Sequence, residues 1–239
     1  MLSAAPVERA FVAGATGFTG REVVRALRAR NVETIAHVRP GSKALATLGP
    51  VFEGLAASVD TTPWEPAALT ETMRRLRPTL VFALLGTTRK RAKAEDGLSA
   101  KEAYERIDYG LSAMLLRAVL DAGIRPRFVY LSSLGVKEGA TSPYFAVRAR
   151  FERELRESGL PYTIVQPSFI TGDRDEPRPA ERIGAHIADA GLSLLGALGA
   201  KRLSARLRSI DAPALADILV TSALSPEKEG KTLRLDDVR

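Results

Sequence analysis

Ala10-Phe-Val-Ala-Gly-Ala-Thr-Gly-Phe-Thr-Gly-Arg21 is the stretch whose reading decides the fold. Its apolar opening, Ala10 to Ala13, reads as a buried strand, and glycines follow at Gly14, Gly17 and Gly20. A helical pattern then places Val23, Val24 and Leu27 on one face. Strand, glycine turn and helix, in that order, is the context in which such a turn cradles a dinucleotide. Gly14 can take the angles of a tight turn. Gly17 lacks a Cβ and admits a pyrophosphate to the main chain. Gly20 lets the helix pack close to the strand. The helix start then aims its N–H groups at the phosphates. Thr16, Phe18 and Thr19 lie between these glycines and join them as candidate cofactor-binding residues. The spacing is G-x-x-G-x-x-G rather than G-x-G-x-x-G, and a glycine turn with no ligand is the plainer alternative.

Downstream, Glu33 to Val38 reads as a second strand, ending in Arg39-Pro-Gly-Ser-Lys43. An acidic residue at this point would accept from a ribose 2′-hydroxyl and repel a 2′-phosphate. The chain instead carries Arg39, with Lys43 nearby. A guanidinium pairs with a phosphate through two charge-assisted hydrogen bonds, which favours NADP (NADPH) over NAD. A surface arginine beside a turn is the alternative.

Val51 to Val59 reads as a third strand interrupted by Gly54, with Asp60 after it as a turn cap. Pro66 to Leu76 is helical, and Thr79 to Leu85 is a buried fourth strand. The strand runs into Leu85-Gly86-Thr87-Thr88 at the carboxyl edge of the sheet, where ligands of doubly wound folds bind. Gly86 suits a loop that passes close to the cofactor ribose. The basic run Arg89 to Lys93 is either an exposed loop or a cover for an anionic ligand.

Lys101 to Ala122 reads as one long amphipathic helix with Tyr104, Ile107, Leu111, Leu115 and Val119 on a face, interrupted by polar Asp108 and Tyr109. A fifth strand, Arg127 to Leu131, precedes Ser132-Ser133-Leu-Gly135. Tyr144 opens a helix to Glu157, and a sixth strand, Pro161 to Gln166, meets Pro167-Ser168-Phe169. This alternation predicts a doubly wound parallel α/β sheet with right-handed crossovers, a Rossmann fold.

The 239 residues suffice for one sizeable domain, and no linker, repeat or low-complexity segment divides them. There is no cysteine, which excludes disulfides and thiol chemistry, and His37 and His186 alone make no multi-histidine metal site. No metal site is expected. The net charge of +7 invites a nucleic-acid partner. However, arginines alternate with glutamates, as in Arg150-Phe-Glu-Arg-Glu-Leu-Arg156, a pattern of solvated, ion-paired helix faces. No nucleic-acid partner is expected. No apolar run approaches the ~20 residues of a spanning helix, so no stable membrane insertion is expected. Met1 to Glu8 does not read as a secretory signal, and a cytoplasmic protein is expected.

These residues together resemble an atypical short-chain dehydrogenase/reductase, and within that superfamily the chain is similar to the Tat-interacting oxidoreductase-like branch. The likeness rests on Gly14-Ala-Thr-Gly-Phe-Thr-Gly20, Leu85-Gly-Thr-Thr-Arg89, Leu131-Ser-Ser-Leu-Gly135 and Tyr144-Phe-Ala-Val-Arg148. Gln166-Pro-Ser-Phe169 and Gly172-Asp-Arg174 resemble that branch's Arg-Pro-Gly and Asp-Arg stretches.

The resemblance implies an NADP-binding Rossmann fold, and an adenine contact for Asp60. It makes Leu85, Gly86, Thr87, Pro167, Ser168 and Phe169 cofactor contacts. It also makes Ser133 or Ser132 the holder of a substrate oxygen, and Tyr144 the acid/base. Asp108 stands near an Asn that supports the active site in extended members. One residue departs from the pattern: Tyr-x-x-x-Lys reads Tyr144-x-x-x-Arg148. Positions four apart share a helix face, so the cation is retained, but an arginine does not relay protons.

Residues 173–239 form the expected substrate-side portion, with helical character over Arg182 to Ala200. Asp211 is expected to cap a helix containing Pro213, and Leu233 to Leu235 to form a last strand. Two functions stand side by side. One is an NADP-dependent oxidoreductase of a small-molecule carbonyl substrate. The other is a non-catalytic NADP(H)-binding regulator with a protein partner or as a homodimer. Sugar-nucleotide epimerisation ranks last, because the C-terminal portion is short.

Overall fold

The structure, a computed structural model, describes residues 8–87, 97–168, 170–171 and 210–234. Thr88, the basic run 89–93, Phe169, the polar run 173–179, residues 182–200, for which helical character is expected, and Leu235 lie outside the described residues.

Seven strands build one sheet: β1 (Arg9–Ala13), β2 (Glu33–His37), β3 (Ser58–Asp60), β4 (Leu80–Ala83), β5 (Arg127–Leu131), β6 (Tyr162–Gln166) and β9 (Lys231–Arg234). Their order is β3-β2-β1-β4-β5-β6-β9, and every pairing is parallel. The short strands β7 (Ile170–Thr171) and β8 (Ile210–Asp211) pair separately. The chain starts in the middle of the sheet, walks outward to β3, then crosses over β1 to β4. That reversal between β1 and β4 opens the crevice in which doubly wound folds bind ligands.

Alternate residues of the strands feed two cores. Ala10, Val12, Phe82 and Val129 face one side, against Val23 and Leu27 of α1 (Phe18–Ala29), Phe52 of α2 (Lys43–Gly54) and Leu215 and Leu219 of α7 (Ala212–Leu224). Phe11, Val81, Phe128 and Ile164 face the other. There they meet Leu69 and Met73 of α3 (Pro66–Leu76), Leu115 and Val119 of α5 (Ser112–Asp121), and Phe151 and Leu155 of α6 (Pro143–Glu157). Burial on both faces is why the strands read as continuous apolar runs. Among the described residues, no helix is long and apolar enough to cross a membrane.

Two expectations are corrected. Val51 to Gly54 belong to the helix α2, and only Ser58–Asp60 is strand. Ser42 starts that helix by accepting from the Ala44 amide, and the helix continues through Pro50, turning Phe52 into the core and leaving Val51 exposed. The expected single helix over Lys101 to Ala122 is a composite. A capped turn, α4 (Ala100–Ala103), leads into a π-helix over Tyr104–Leu111 and then into α5. Gly110 fits the wide turn, since a Cβ there would lie 3.1 Å from the Glu105 carbonyl oxygen. At the C-terminal end Asp211 caps α7 as expected, its carboxylate accepting from the Ala214 amide at 2.7 Å.

Candidate functional site

The glycine turn is held by the chain's own backbone. Gly14 sits at φ +87°, and a Cβ there would lie 2.6 Å from the Leu84 carbonyl oxygen. A Cβ on Gly20 would lie 2.0 Å from the Gly14 carbonyl oxygen. A Cβ on Gly17 would meet only that same oxygen, at 3.1 Å. The Gly17 amide donates to Gly14 O at 2.9 Å, closing the turn. Gly17 is also the N-cap of α1. It brings no capping side chain, and the helix has no acidic residue in its first turn. Thr16, Gly17 and Phe18 are half-buried, whereas Thr19 and Gly20 are buried. A backbone cradle whose N-cap brings no side chain and whose first turn carries no acidic residue fits a phosphate-bearing cofactor.

Register brings the neighbouring strand ends to this turn. Ala13 pairs with His37, and His37 with Asp60. Gly14, Arg39 and Asp60 therefore follow one another along the carboxyl edge. Arg39 is exposed there. The Asp60 carboxylate accepts from the Thr62 amide at 3.1 Å and hydroxyl at 2.9 Å, so it caps its turn as one reading expected. His37 is buried beneath that turn, with Nε2 2.9 Å from the Thr62 carbonyl oxygen and the Trp64 ring edge-on at 5.0 Å. Burial lowers its pKa, against the opposing pull of the Thr62 carbonyl and Asp60.

The second half of the site is built from side chains. After β4, the Thr87 amide donates to Asp108 Oδ2 at 3.1 Å. Asp108 Oδ1 accepts from Arg148 Nη2 at 2.7 Å, and both side chains are buried. Arg148 Nη1 also donates to Leu131 O at 2.9 Å and to the Tyr130 hydroxyl at 3.3 Å. Burial opposes its charge, but Tyr144, Tyr130 and Asp108 outweigh that and raise its pKa. Burial also raises the pKa of the fully enclosed Tyr130 phenol.

Gly86 is explained here. A Cβ would lie 3.1 Å from Arg148 Nη2 and 3.4 Å from Asp108 Oδ1, so the missing side chain leaves room for this ion pair. Tyr144 lies half-buried at the start of α6, with the Arg148 guanidinium 4.8 Å from its ring centroid. The cation therefore lies by the ring face of Tyr144 while its Nη1 and Nη2 serve other groups and its buried Nε has no partner among the described residues.

The two serines part company. Ser132 is buried and donates to Glu152 Oε1 at 2.5 Å, whereas Ser133 is half-exposed. Ser133 is therefore the more accessible of the two serines. Pro167 and Ser168 lie beside the serine loop, because the Leu134 amide donates to Pro167 O at 2.8 Å.

Glu152 is the residue the sequence reading missed. It is buried, and it accepts from Ser132, from Gln166 Nε2 at 2.9 Å and from Arg156 at 2.7 Å. A signal was present: Arg148 and Glu152 fall in the same buried stripe of α6 as Phe145, Phe151 and Leu155. Arg150–Glu154, at 3.3 Å, is the solvated pair that was expected, but Arg156–Glu152 is half interior. A cavity of about 280 Å³ lies behind Glu152, lined by Lys137, Arg156, Gln166, Thr232 and Arg234, and is apart from both the glycine turn and Tyr144. Among the described residues, no group of three or more histidines and carboxylates is placed to hold a metal.

A family model described as NAD(P)H-binding matches residues 14–190. The chain belongs to this NAD(P)H-binding family. A relative from Aspergillus terreus, "Protein fmp52-1, mitochondrial", is 30% identical over 182 residues, covering 73% of this chain and 72% of the relative. "Protein FMP52, mitochondrial" from Debaryomyces hansenii is 29% identical over 171 residues, with 70% and 69% covered.

Among solved structures, a Bacillus halodurans protein of the NAD-dependent epimerase/dehydratase type has a TM-score of 0.65 at 19% identity, with 94% and 92% covered. The UDP-glucose 4-epimerase of Thermus thermophilus in complex with NAD has a TM-score of 0.60 at 20% identity, with 91% of this chain and 75% of that one covered. AtPrR2 with NADP+ and (+)pinoresinol has a TM-score of 0.65 at 16% identity, with 99% and 72% covered.

The Rossmann fold and NAD(P)H-binding therefore stand. The Tat-interacting branch is not among the names these relatives carry. The cytoplasmic expectation is corrected, because the relatives' names place them in the mitochondrion.

Proposed function

We propose that this chain is an NADP(H)-dependent oxidoreductase acting on a small-molecule carbonyl. The observation that supports this reading is that the glycine turn, Arg39 and Ser133 all follow strand ends on one carboxyl edge of the sheet, with Tyr144 beside the Arg148 that bonds the end of β5. Gly14, Thr16, Gly17, Phe18, Thr19 and Gly20 would hold the pyrophosphate. Arg39 would hold the 2′-phosphate, and Asp60 the adenine side. Leu85 to Thr87, Pro167 and Ser168 would line the nicotinamide half. The cofactor, when bound, supplies the hydride. Ser133 would hold the substrate oxygen by its hydroxyl, and Tyr144 would pass that oxygen its proton.

Calorimetric titration of the protein with NADPH and NADH, repeated on Arg39→Glu, tests the cofactor assignment. A preference for NADPH of at least tenfold, lost in the variant, is expected. Binding of neither nucleotide would overturn the reading. Tyr144→Phe should lose turnover while keeping cofactor affinity, and unchanged turnover would remove Tyr144 from the chemistry.

A second reading is favoured by Arg148. Its Nη1 and Nη2 donate to Asp108, Leu131 O and Tyr130, and it cannot shuttle a proton as a lysine does. That arrangement suits a non-catalytic NADP(H)-binding regulator. Such a protein should bind NADPH, transfer no hydride to any of a broad panel of carbonyls, and show a partner affinity that depends on the cofactor.

A further inference from the structure

Tyr144 and Arg148 stand four residues apart on α6. Facing them on the π-helix are Tyr104 and Asp108, also four apart. The two pairs meet in register. The Tyr104 ring lies edge-on to the Tyr144 ring, with centroids 5.3 Å apart, and Asp108 Oδ1 lies 2.7 Å from Arg148 Nη2. Tyr104 and Asp108 are both buried, at 7% and 1% exposure, so neither contact is a surface accident. The Phe145 ring, 5.3 Å from Tyr144, and the Arg148 guanidinium add two further contacts to the Tyr144 ring.

Asp108 has a second task. Its other carboxylate oxygen accepts from the Thr87 amide, in the loop that follows β4. The same side chain thus ties three elements together: the loop after β4, the π-helix, and α6 with its tyrosine. A π-helix interrupting a helix is often a functional feature, and here the wide turn is what carries both Tyr104 and Asp108.

We infer that Tyr104 and Asp108 form a clasp that positions the Tyr144 ring and couples it, through Arg148, to the Gly86–Thr87 loop. They are positioning residues. Tyr104 orients Tyr144 by ring contact, and Asp108 acts through Arg148 and the Thr87 amide. This rests on the reading that the Gly86–Thr87 loop and Tyr144 flank the nicotinamide half of NADP(H). The clasp then governs that half alone, while the glycine turn and Arg39 hold the adenosine half independently.

The test is calorimetry with two probes, NADPH and its adenosine fragment adenosine 2′,5′-bisphosphate, on wild type, Tyr104→Leu, Tyr104→Phe and Asp108→Asn, each checked for a cooperative melt. Tyr104→Leu and Asp108→Asn should weaken NADPH at least tenfold and leave the fragment within twofold. Tyr104→Phe, which keeps the ring, should match wild type. Equal losses on both probes, or no loss of NADPH, would overturn the clasp. If Asp108→Asn fails to fold because it strands the Arg148 charge, the double variant Asp108→Asn/Arg148→Gln removes that charge and must show the same selective loss.

Fluorotyrosine labelling gives a readout that needs no cofactor. The chain has five tyrosines, and the Tyr144 signal is the one absent from Tyr144→Phe. That signal should shift in Tyr104→Leu and in Asp108→Asn, while Tyr162, at the far end of the sheet, stays put. If wild type binds neither probe, the NADP reading falls and this signal alone decides the clasp. A Tyr144 signal unmoved in both variants would overturn it.

Discussion

The two ends of the candidate site are made of different material. At the glycine turn the shape is a property of the main chain: Gly14 O, Leu84 O and the Gly17 amide fix it, and the required side chain is hydrogen. At the tyrosine end the shape is a property of side chains. Asp108, Arg148, Ser132, Glu152 and Gln166 are all buried, and each bonds to residues from other elements, although the buried Nε of Arg148 is left without a partner among the described residues. The two kinds of construction fail differently. A backbone cradle admits no substitute for its glycines. A buried polar network tolerates an isostere but not the loss of one partner, which leaves buried groups without hydrogen bonds.

The largest effect is expected at Gly20. A methyl group there lies 2.0 Å from a main-chain oxygen, and no side-chain rotation relieves it. Gly20→Ala should destabilise the protein by about 3 kcal/mol or more, the upper range for overpacking, measured by urea unfolding. A loss below about 1 kcal/mol would show that the turn is more adaptable than its geometry states.

Glu152→Ala comes next. It removes the acceptor of Ser132, Gln166 and Arg156 at once, and about 2–3 kcal/mol should be lost. Glu152→Gln keeps an oxygen for Ser132 and should recover more than half of that. If the glutamine variant is as damaged as the alanine one, the tyrosine end also depends on an irreplaceable residue, and the contrast between the two ends dissolves.

This contrast also explains what the sequence could reveal. The glycine turn is local: strand, turn and helix lie within twenty residues, and the constraints fall on residue types that serve little else. The central strands were legible for a similar reason, since burial on both faces writes a plain apolar run. The tyrosine end joins Thr87, Asp108, Ser132, Arg148 and Gln166, which are far apart in the chain. Their partners are set by the fold, not by spacing. Asp108 read as a polar interruption because an α-helical period was applied to a π-helical segment. Glu152 read as one more charge on a solvated face, although it shares the buried stripe of Phe151 and Leu155. Val51 to Gly54 read as strand, although the helix that holds them is started by Ser42 and runs on through Pro50.

His37 sharpens the comparison from the glycine-turn side, where one buried side chain supports the backbone construction. Its folded pKa lies below its unfolded value of about 6.5, because burial disfavours the charged ring. The unfolded chain therefore takes up a proton that the folded protein resists. Stability is complete above the unfolded pKa and falls as pH drops below it. The slope should approach about 1.4 kcal/mol per pH unit between the unfolded and folded pKa values. Urea midpoints from pH 7.5 to 5 should show this decline, and it should shrink in His37→Gln. An unchanged slope in the variant would assign the acid sensitivity to other groups.

The smallest effect is expected at Arg150, on the outer face of the same helix that carries Tyr144. Arg150 stacks over the Tyr109 ring at 3.8 Å and pairs with Glu154 at 3.3 Å, so by contacts alone it resembles Arg148. It differs in solvent: the Arg150 side chain is 48% exposed, that of Arg148 7%. Water and salt screen the outer pair, and its loss strands nothing in the interior. Arg150→Ala should change stability by less than about 0.5 kcal/mol at 0.15 M salt. Arg148→Ala, which takes away the guanidinium paired with the buried Asp108 carboxylate, should lose several-fold more. Comparable losses for the two arginines would mean that the buried network is not what distinguishes the tyrosine end. The difference between the two ends would then have to be sought in the backbone alone.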